Sequence, residues 1–244
     1  MTVRQFTAQC ADDFGFKVWS LAFLALSSCS SSDDINGNLG KGTFAYQCVS
    51  VDDPACPHSG STSSGQDPTS PANFPAALAE GAHFKVGYTA YQSTAGGNPT
   101  LKPVAPEYIQ AISADGSFTA LKAGKDALVA RSSVDSLVFD YTVITISPIS
   151  SLGVTTLDGA SLPGNVSLSL GSTASYLATA LGPRNEKLAG AIDYTWSSNN
   201  PKVVKIEQGN PTAHVDVDAL SNGDAIITVT QGTMSVQIPI TVAP

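Results

Sequence analysis

At 244 residues the chain has room for one large or two small domains, each able to bury its own core. Charged residues make up only 13% of it, against 21 Gly and 15 Pro, a balance that suits a turn-rich β protein and argues against a helical bundle. The net charge of −8 and a pI near 4.6, with no basic run anywhere, exclude the clustered Lys and Arg that nucleic acid requires.

The first landmark is the apolar run VWSLAFLAL, Val18 to Leu26, preceded by Lys17 and Arg4. Nine residues rise only about 14 Å as a helix, half of a bilayer's hydrocarbon thickness, so the run has the length of a signal-peptide core and not of a membrane span. Leu26-Ser27-Ser28-Cys29 follows it. That sequence resembles the lipobox of bacterial lipoprotein signal peptides. The resemblance implies a signal peptide over 1–28, cleavage before Cys29, a diacylglycerol on the Cys29 sulfur and an acyl chain on the new amino terminus. The membrane is then a partner through that lipid. Ser30 in place of aspartate after the cysteine implies, by the same likeness, the outer membrane, with the protein on its periplasmic face or at the cell surface.

Residues 29–41 lack apolar periodicity and are expected to be a flexible tether. Asp33, Asp34, Asn36 and Asn38 around Gly37 echo a calcium loop, but the closing Glu is missing. Cys48 and Cys56, in YQCVSVDDPACP, would close a short loop as a disulfide in an oxidising compartment. Free thiols are one alternative, and a metal shared with His58 is another. HSGSTSSGQDPTSPANFP, His58 to Pro75, reads as a long exposed loop.

Short alternating segments dominate the rest. GTFAYQCVSV (Gly42–Val51), HFKVGYTAY (His83–Tyr91), DALVARS (Asp126–Ser132) and LVFDYTVITI (Leu137–Ile146) are expected strands. VSLSL (Val166–Leu170), ASYLATAL (Ala174–Leu181), AIDYTWSS (Ala191–Ser198), AHVDVDAL (Ala213–Leu220), AIITVT (Ala225–Thr230) and SVQIPITV (Ser235–Val242) continue the series, separated by turn signals. The order repeats at an offset of about ninety residues. EGAHFKVGYTAY answers LGSTASYLATAL, APEYIQAI answers NPKVVKIE, GSFTALKAGKDALVARS answers AHVDVDALSNGDAIITVT, and LVFDYTVITI answers MSVQIPITV.

The second copy, with LGSTASYLATA, YTWSSNNPKVVKI, ALSNGDAIITVTQG and SVQIPITV, resembles a group 2 bacterial immunoglobulin-like domain. The first copy shares the run into GSFTALKAGKDALVARS but has PTLKPVAPEYIQAI where the W-S-S element would stand. The expected fold is all-β: two tandem immunoglobulin-like β-sandwiches, over 42–148 and 149–244, after the signal peptide and tether. Alternation points Trp196 into the second core. Related domains occur in bacterial adhesins, which implies binding of a protein or carbohydrate ligand.

Chemistry is hard to find in this chain. His58, His83 and His214 have no second His or Cys at metal-ligand spacing, and there is no G-x-S-x-G, H-E-x-x-H, P-loop or dinucleotide fingerprint. Asp216, Asp218 and Asp224 are a faint calcium candidate, better explained as a solvated face. Asn165 opens an N-V-S acceptor pattern that means little in a bacterium. The expected protein is no enzyme and uses no cofactor or metal. It is a lipid-anchored binding or adhesion module, or alternatively a structural spacer in an envelope complex or surface filament.

Overall fold

The computed structural model describes residues 35–50, 52–56, 74–91, 99–113, 116–209 and 212–244. Cys29, the signal peptide and most of the His58–Pro75 segment lie outside these residues. All regular structure among them is β. The first half contains β1 (Ile35–Asn36), β2 (Gly42–Gln47), β3 (Leu78–Ala79), β4 (His83–Ala90), β5 (Pro99–Pro103), β6 (Ile109–Ala111), β7 (Ser117–Ala120), β8 (Gly124–Ser132) and β9 (Val138–Ser147). The second contains β10 (Ser151–Thr156), β11 (Val166–Ser169), β12 (Thr173–Leu181), β13 (Thr195–Ser198), β14 (Val204–Gln208), β15 (His214–Ala219), β16 (Gly223–Gln231) and β17 (Met234–Ala243).

Hydrogen bonding sorts these strands into four sheets. Sheets β1-β2-β4-β7-β6 and β3-β9-β8-β5 face each other in the first sandwich; β10-β12-β15-β14 and β11-β17-β16-β13 do so in the second. Apart from β1, the strand orders are the same in both. Each sandwich has one parallel contact, Leu78 beside Ile146 in the first and Val166 beside Ile240 in the second. This is the immunoglobulin-like arrangement: the first strand divides between the two sheets and its second part runs alongside the last strand.

Period-two burial builds both cores. β2 buries Phe44 and Tyr46, and β15 buries Val215, Val217 and Ala219, while their alternate residues face out. Trp196 is buried opposite Val229, and its indole N–H donates to the Thr212 carbonyl at 2.9 Å. In the first sandwich Leu101 opposite Ala130 holds the corresponding place. The opposite sheet of that sandwich brings in aromatic rings, Phe84 stacked on Phe118 and Phe44 tilted against Tyr88.

Two expectations need correction. The segment read as tether is structured from Ile35 onward. β1 pairs with β2, and the turn between them is held by Asp140, whose carboxylate accepts the Leu39 amide at 2.7 Å and the Lys41 amide at 2.8 Å. A Cβ on Gly37 would overlap that carboxylate, so the turn's glycine makes the grip possible. Polar composition hid this because the partner lies a hundred residues away. The AIDYTWSS strand also begins late, at Thr195. Upstream of it, the Tyr194 amide donates to the Thr212 hydroxyl and its carbonyl accepts from the Gln208 side chain, so side chains take the place of a strand partner.

Candidate functional site at the junction between the sandwiches

The described residues from Ile35 to Pro244 form one compact unit, and the reason lies between the two sandwiches. The loop after β12 folds back on itself: the Gly182 amide donates to the Glu186 carbonyl and the Leu188 amide to the Ala180 carbonyl. Its next three residues then run along the first sandwich. The Ala79 amide donates to the Ala189 carbonyl at 3.0 Å and the Ala189 amide to the Ala77 carbonyl at 3.1 Å. His83 and Ala191 exchange two bonds, each 2.8 Å. Ala189 therefore pairs in parallel with Leu78, whose other side already pairs with β9. The loop of one sandwich completes the sheet edge of the other, which removes an unpaired edge.

Side chains follow the backbone across this boundary. Ala79 and Ala82 pack into the core of the second sandwich, and Ala189 into the core of the first. Gly190 has φ of +99°, and a Cβ there would lie 2.5 Å from the Ala82 Cβ. Both the backbone conformation and the close approach require glycine.

Asp53 closes the junction from the side. It sits in the loop between Cys48 and Cys56, which are joined by a disulfide with 5.9 Å between their Cα atoms. Asp53 is 0% exposed. One carboxylate oxygen accepts the Tyr46 hydroxyl at 2.6 Å; the other accepts the amides of Ala55 and Gly190, each at 3.0 Å. Burial, and then the neighbouring Asp53 carboxylate, push the Tyr46 phenol well above its ordinary range, so it stays a donor. Each bond across the junction contributes about 0.5–1.5 kcal/mol net, with those to a carboxylate at the upper end. An open cleft of about 540 Å³ runs beside the junction, between Pro54, Phe74 and Pro148 on one side and Arg184 and Lys187 on the other. Arg184 and Lys187 are exposed there, and the partly buried Glu186, which also lines the cleft, lies 3.9 Å from the Arg184 guanidinium.

The other residues singled out from sequence are dispersed. Asp216 accepts the Ser175 hydroxyl at 2.5 Å and Asp218 the Thr173 hydroxyl at 2.6 Å, on β15, whereas Asp224 accepts the Thr241 hydroxyl at 2.8 Å on the opposite sheet. The three do not converge, and among the described residues no group of three or more His, Cys, Asp or Glu could hold a metal. His83 lies 3.0 Å from the Thr119 hydroxyl, and His214 lies 3.3 Å from Asp216. Asp53, Gly190 and Asp140 were not anticipated. The nearest signal was the Asp-Pro turn inside the two cysteines.

No family model matches the sequence, and no curated protein matches it. Among solved structures, the chain is similar to domains 4 and 5 of the S-layer protein SbsC, at 17% identity and a TM-score of 0.34, covering 69% of this chain and 92% of that one. In a longer SbsC structure, residues 31–844, the match spans only 23% of that chain. FdeC, an Escherichia coli adhesin, is 12% identical with a TM-score of 0.31, covering 69% of this chain and 60% of its own. Invasin, a bacterial integrin-binding protein, is 14% identical with a TM-score of 0.31, covering 66% and 36%. The immunoglobulin-like assignment rests on the strand order and pairing described above.

Proposed function

We propose that this chain is a lipid-anchored protein of the bacterial envelope, held by a lipid on Cys29, that presents two joined immunoglobulin-like sandwiches as a non-catalytic binding or adhesion module. The observation that carries this reading is the pair of immunoglobulin-like sandwiches, joined at their junction and preceded in sequence by the apolar run Val18 to Leu26 and Cys29. The lipobox-like Leu26-Ser27-Ser28-Cys29 supports the anchor, Ser30 supports the outer membrane, and the disulfide suits an oxidising compartment. Ligand contact by a protein or carbohydrate falls to loops at the free end or to the junction cleft.

Intact mass of protein purified from the membranes of a lipoprotein-processing bacterium tests the anchor. The expected result is a chain beginning at Cys29 with the added mass of its acyl groups, and release of a Cys29→Ala variant into the soluble fraction with both sandwiches folded. A full-length, unmodified chain would overturn it.

The junction itself favours a second reading, a spacer or accessory subunit in an envelope complex or filament. Four backbone bonds, with Asp53 beside them, fix the distance between the sandwiches. A binding module retains a soluble ligand when freed from the membrane; a spacer co-purifies with envelope machinery and binds nothing alone.

A further inference from the structure

One sheet edge of the first sandwich is open along part of its length, and the second sandwich shows what such an edge holds. On the side of β9 that faces away from β8, the Ser147 carbonyl accepts the Glu80 amide at 3.0 Å and the Tyr141 carbonyl accepts the Asn38 amide at 2.9 Å. Backbone groups alternate between the two sides of a strand, so Val143 presents its N–H and C=O, and Thr145 its N–H, to this same edge. Pairing with β3 begins only at Leu78 beside Ile146, and among the described residues no strand pairs with Val143 or Thr145 there. The corresponding edge of β17 is paired by β11 from Ile240 to Ala243. Gly124 lies opposite Ile146 and Gly223 opposite Val242, which makes Ile144 the counterpart of Ile240. Val166, beside Ile240, is buried in the second core. Its counterpart in the first sandwich, Ala76, is exposed in a bend. A pocket of about 250 Å³ stands open beside it, lined by Tyr46, Phe74, Phe84, Val86 and Ile144.

Sheet edges are ordinarily blunted, as β5 is by Pro99 and Pro103. The open stretch of β9 has β-branched Val143 and Thr145 instead, with Val143 exposed to 49%. The pocket and the junction cleft share Phe74, Pro75, Ala76 and Thr145, so the two form one groove. Arg184 and Lys187 stand at its junction end, where Glu186 is turned to the Arg184 amide at 2.8 Å. We infer that this groove takes an extended peptide of a partner protein by strand addition. A valine-sized apolar side chain enters the pocket beside Ile144, as Val166 enters the second core, and an acidic residue further along meets Arg184 and Lys187. β3 and β11 both run parallel to the strands they join. A peptide running the same way carries its carboxyl-terminal side toward the junction, where the cations are. Backbone hydrogen bonds then supply attachment, while the pocket and the cations select the sequence. The inference rests on the binding-module reading and gives its ligand a chemistry.

The test uses the full chain, isotopically labelled and held in a mild detergent, titrated with a synthetic peptide that repeats Asn165 to Ser167 and ends in aspartates. The amide resonances of Val143 and Thr145 are expected to shift saturably, and the Val143 amide to gain protection from exchange. Replacing the peptide's valine by aspartate should weaken binding at least about tenfold. Val143→Pro removes the N–H offered to the edge but keeps the bonds to β8, and should weaken binding about five- to tenfold. R184E/K187E should weaken the acidic peptide about three- to tenfold and leave a peptide ending in serines unaffected. Amides at 143 and 145 that do not respond overturn strand addition, as does binding indifferent to the valine. Shifts confined to the loops around Leu220 assign the peptide to the free end and overturn the groove, while the binding-module reading stands. That reading is judged apart, by retention of a soluble envelope ligand, so the two fail separately. If Val143→Pro does not fold, the peptide with aspartate for valine still decides the outcome.

Discussion

The Gly190 amide donates to Asp53 across 137 residues of sequence, and this bond joins a disulfide-closed loop of one sandwich to a backbone strand-mimic of the other. Removing the carboxylate leaves the Tyr46 hydroxyl and two amides without their acceptor in a buried setting. Asp53→Ala is expected to destabilise the protein by at least about 2 kcal/mol. Hydrogen exchange at the amides of Gly190 and Ala191 should accelerate more than exchange in either core. Unchanged protection there would show that the alanine packing alone holds the junction.

Gly190→Ala combines a left-handed φ with a clash against Ala82, at an expected cost of about 2–4 kcal/mol from strain and overpacking together. Adding Ala82→Gly relieves the clash but not the φ. Chemical denaturation of the single and double variants should therefore show partial recovery. Full recovery would mean that backbone strain contributes nothing.

The disulfide closes a short loop, with a sequence separation of 8. The chain-entropy account assigns such a loop about 2–3 kcal/mol. Cys48→Ala/Cys56→Ala should lose that amount of stability, and Asp53 should lose its fixed position, so the double variant and Asp53→Ala should be less than additive. Additive losses would separate the disulfide from the junction.

Acid should release the amino-terminal turn before it unfolds the sandwiches. Burial raises the Asp140 carboxyl, but the amides of Leu39, Lys41, Tyr141 and Gly42 together outweigh it and hold the group below the ordinary carboxylate range. A carboxyl lowered in the folded state contributes fully above its unfolded value, about 4, and that contribution is lost as pH falls through the folded value. The amides of Leu39 and Lys41 should lose exchange protection below about pH 4, beyond the intrinsic pH trend. Asp140→Asn should show the loss already at neutral pH.

Trp196→Ala empties a core site and should cost about 3–5 kcal/mol, read by circular dichroism during urea unfolding. The only other tryptophan, Trp19, lies in the segment expected to be cleaved. Native tryptophan emission in the mature chain would then report the second sandwich alone. Emission and circular dichroism should coincide if the junction couples the two sandwiches, and separate in Asp53→Ala if it is their main link.

Much of the fold could be read from the chain. Alternation placed the long strands β4, β8, β9, β12, β15, β16 and β17 within one or two residues, because each buries one face against a core. The pairs of repeat segments correspond to strands in the same sheet positions. Two-residue strands such as β3 escaped, since two residues carry no period. The junction escaped for another reason. Ala77, Ala79, Ala82 and Ala189 look unremarkable in sequence, and their role comes from backbone groups meeting at long range. Asp53 and Asp140 carry no pattern that singles them out, yet each is buried and accepts amides from another part of the chain. Sequence patterns report which face a residue presents; they do not report who meets it.

The corner that seats the junction exists twice. The Ala82 amide donates to the Ala79 carbonyl in the first sandwich, and the Ser172 amide to the Ser169 carbonyl in the second. The backbones are copies, but the alanines that enter a neighbouring core have become serines in the outer copy, with Ser169 exposed and the Ser172 hydroxyl turned back on the Ser169 carbonyl at 2.6 Å. The two halves have thus diverged by position. Swapping their order would bury hydroxyls where the seat needs methyl groups and leave the methyl groups in water. The tandem has a direction, fixed by four small side chains, and each half is suited to only one of its two places.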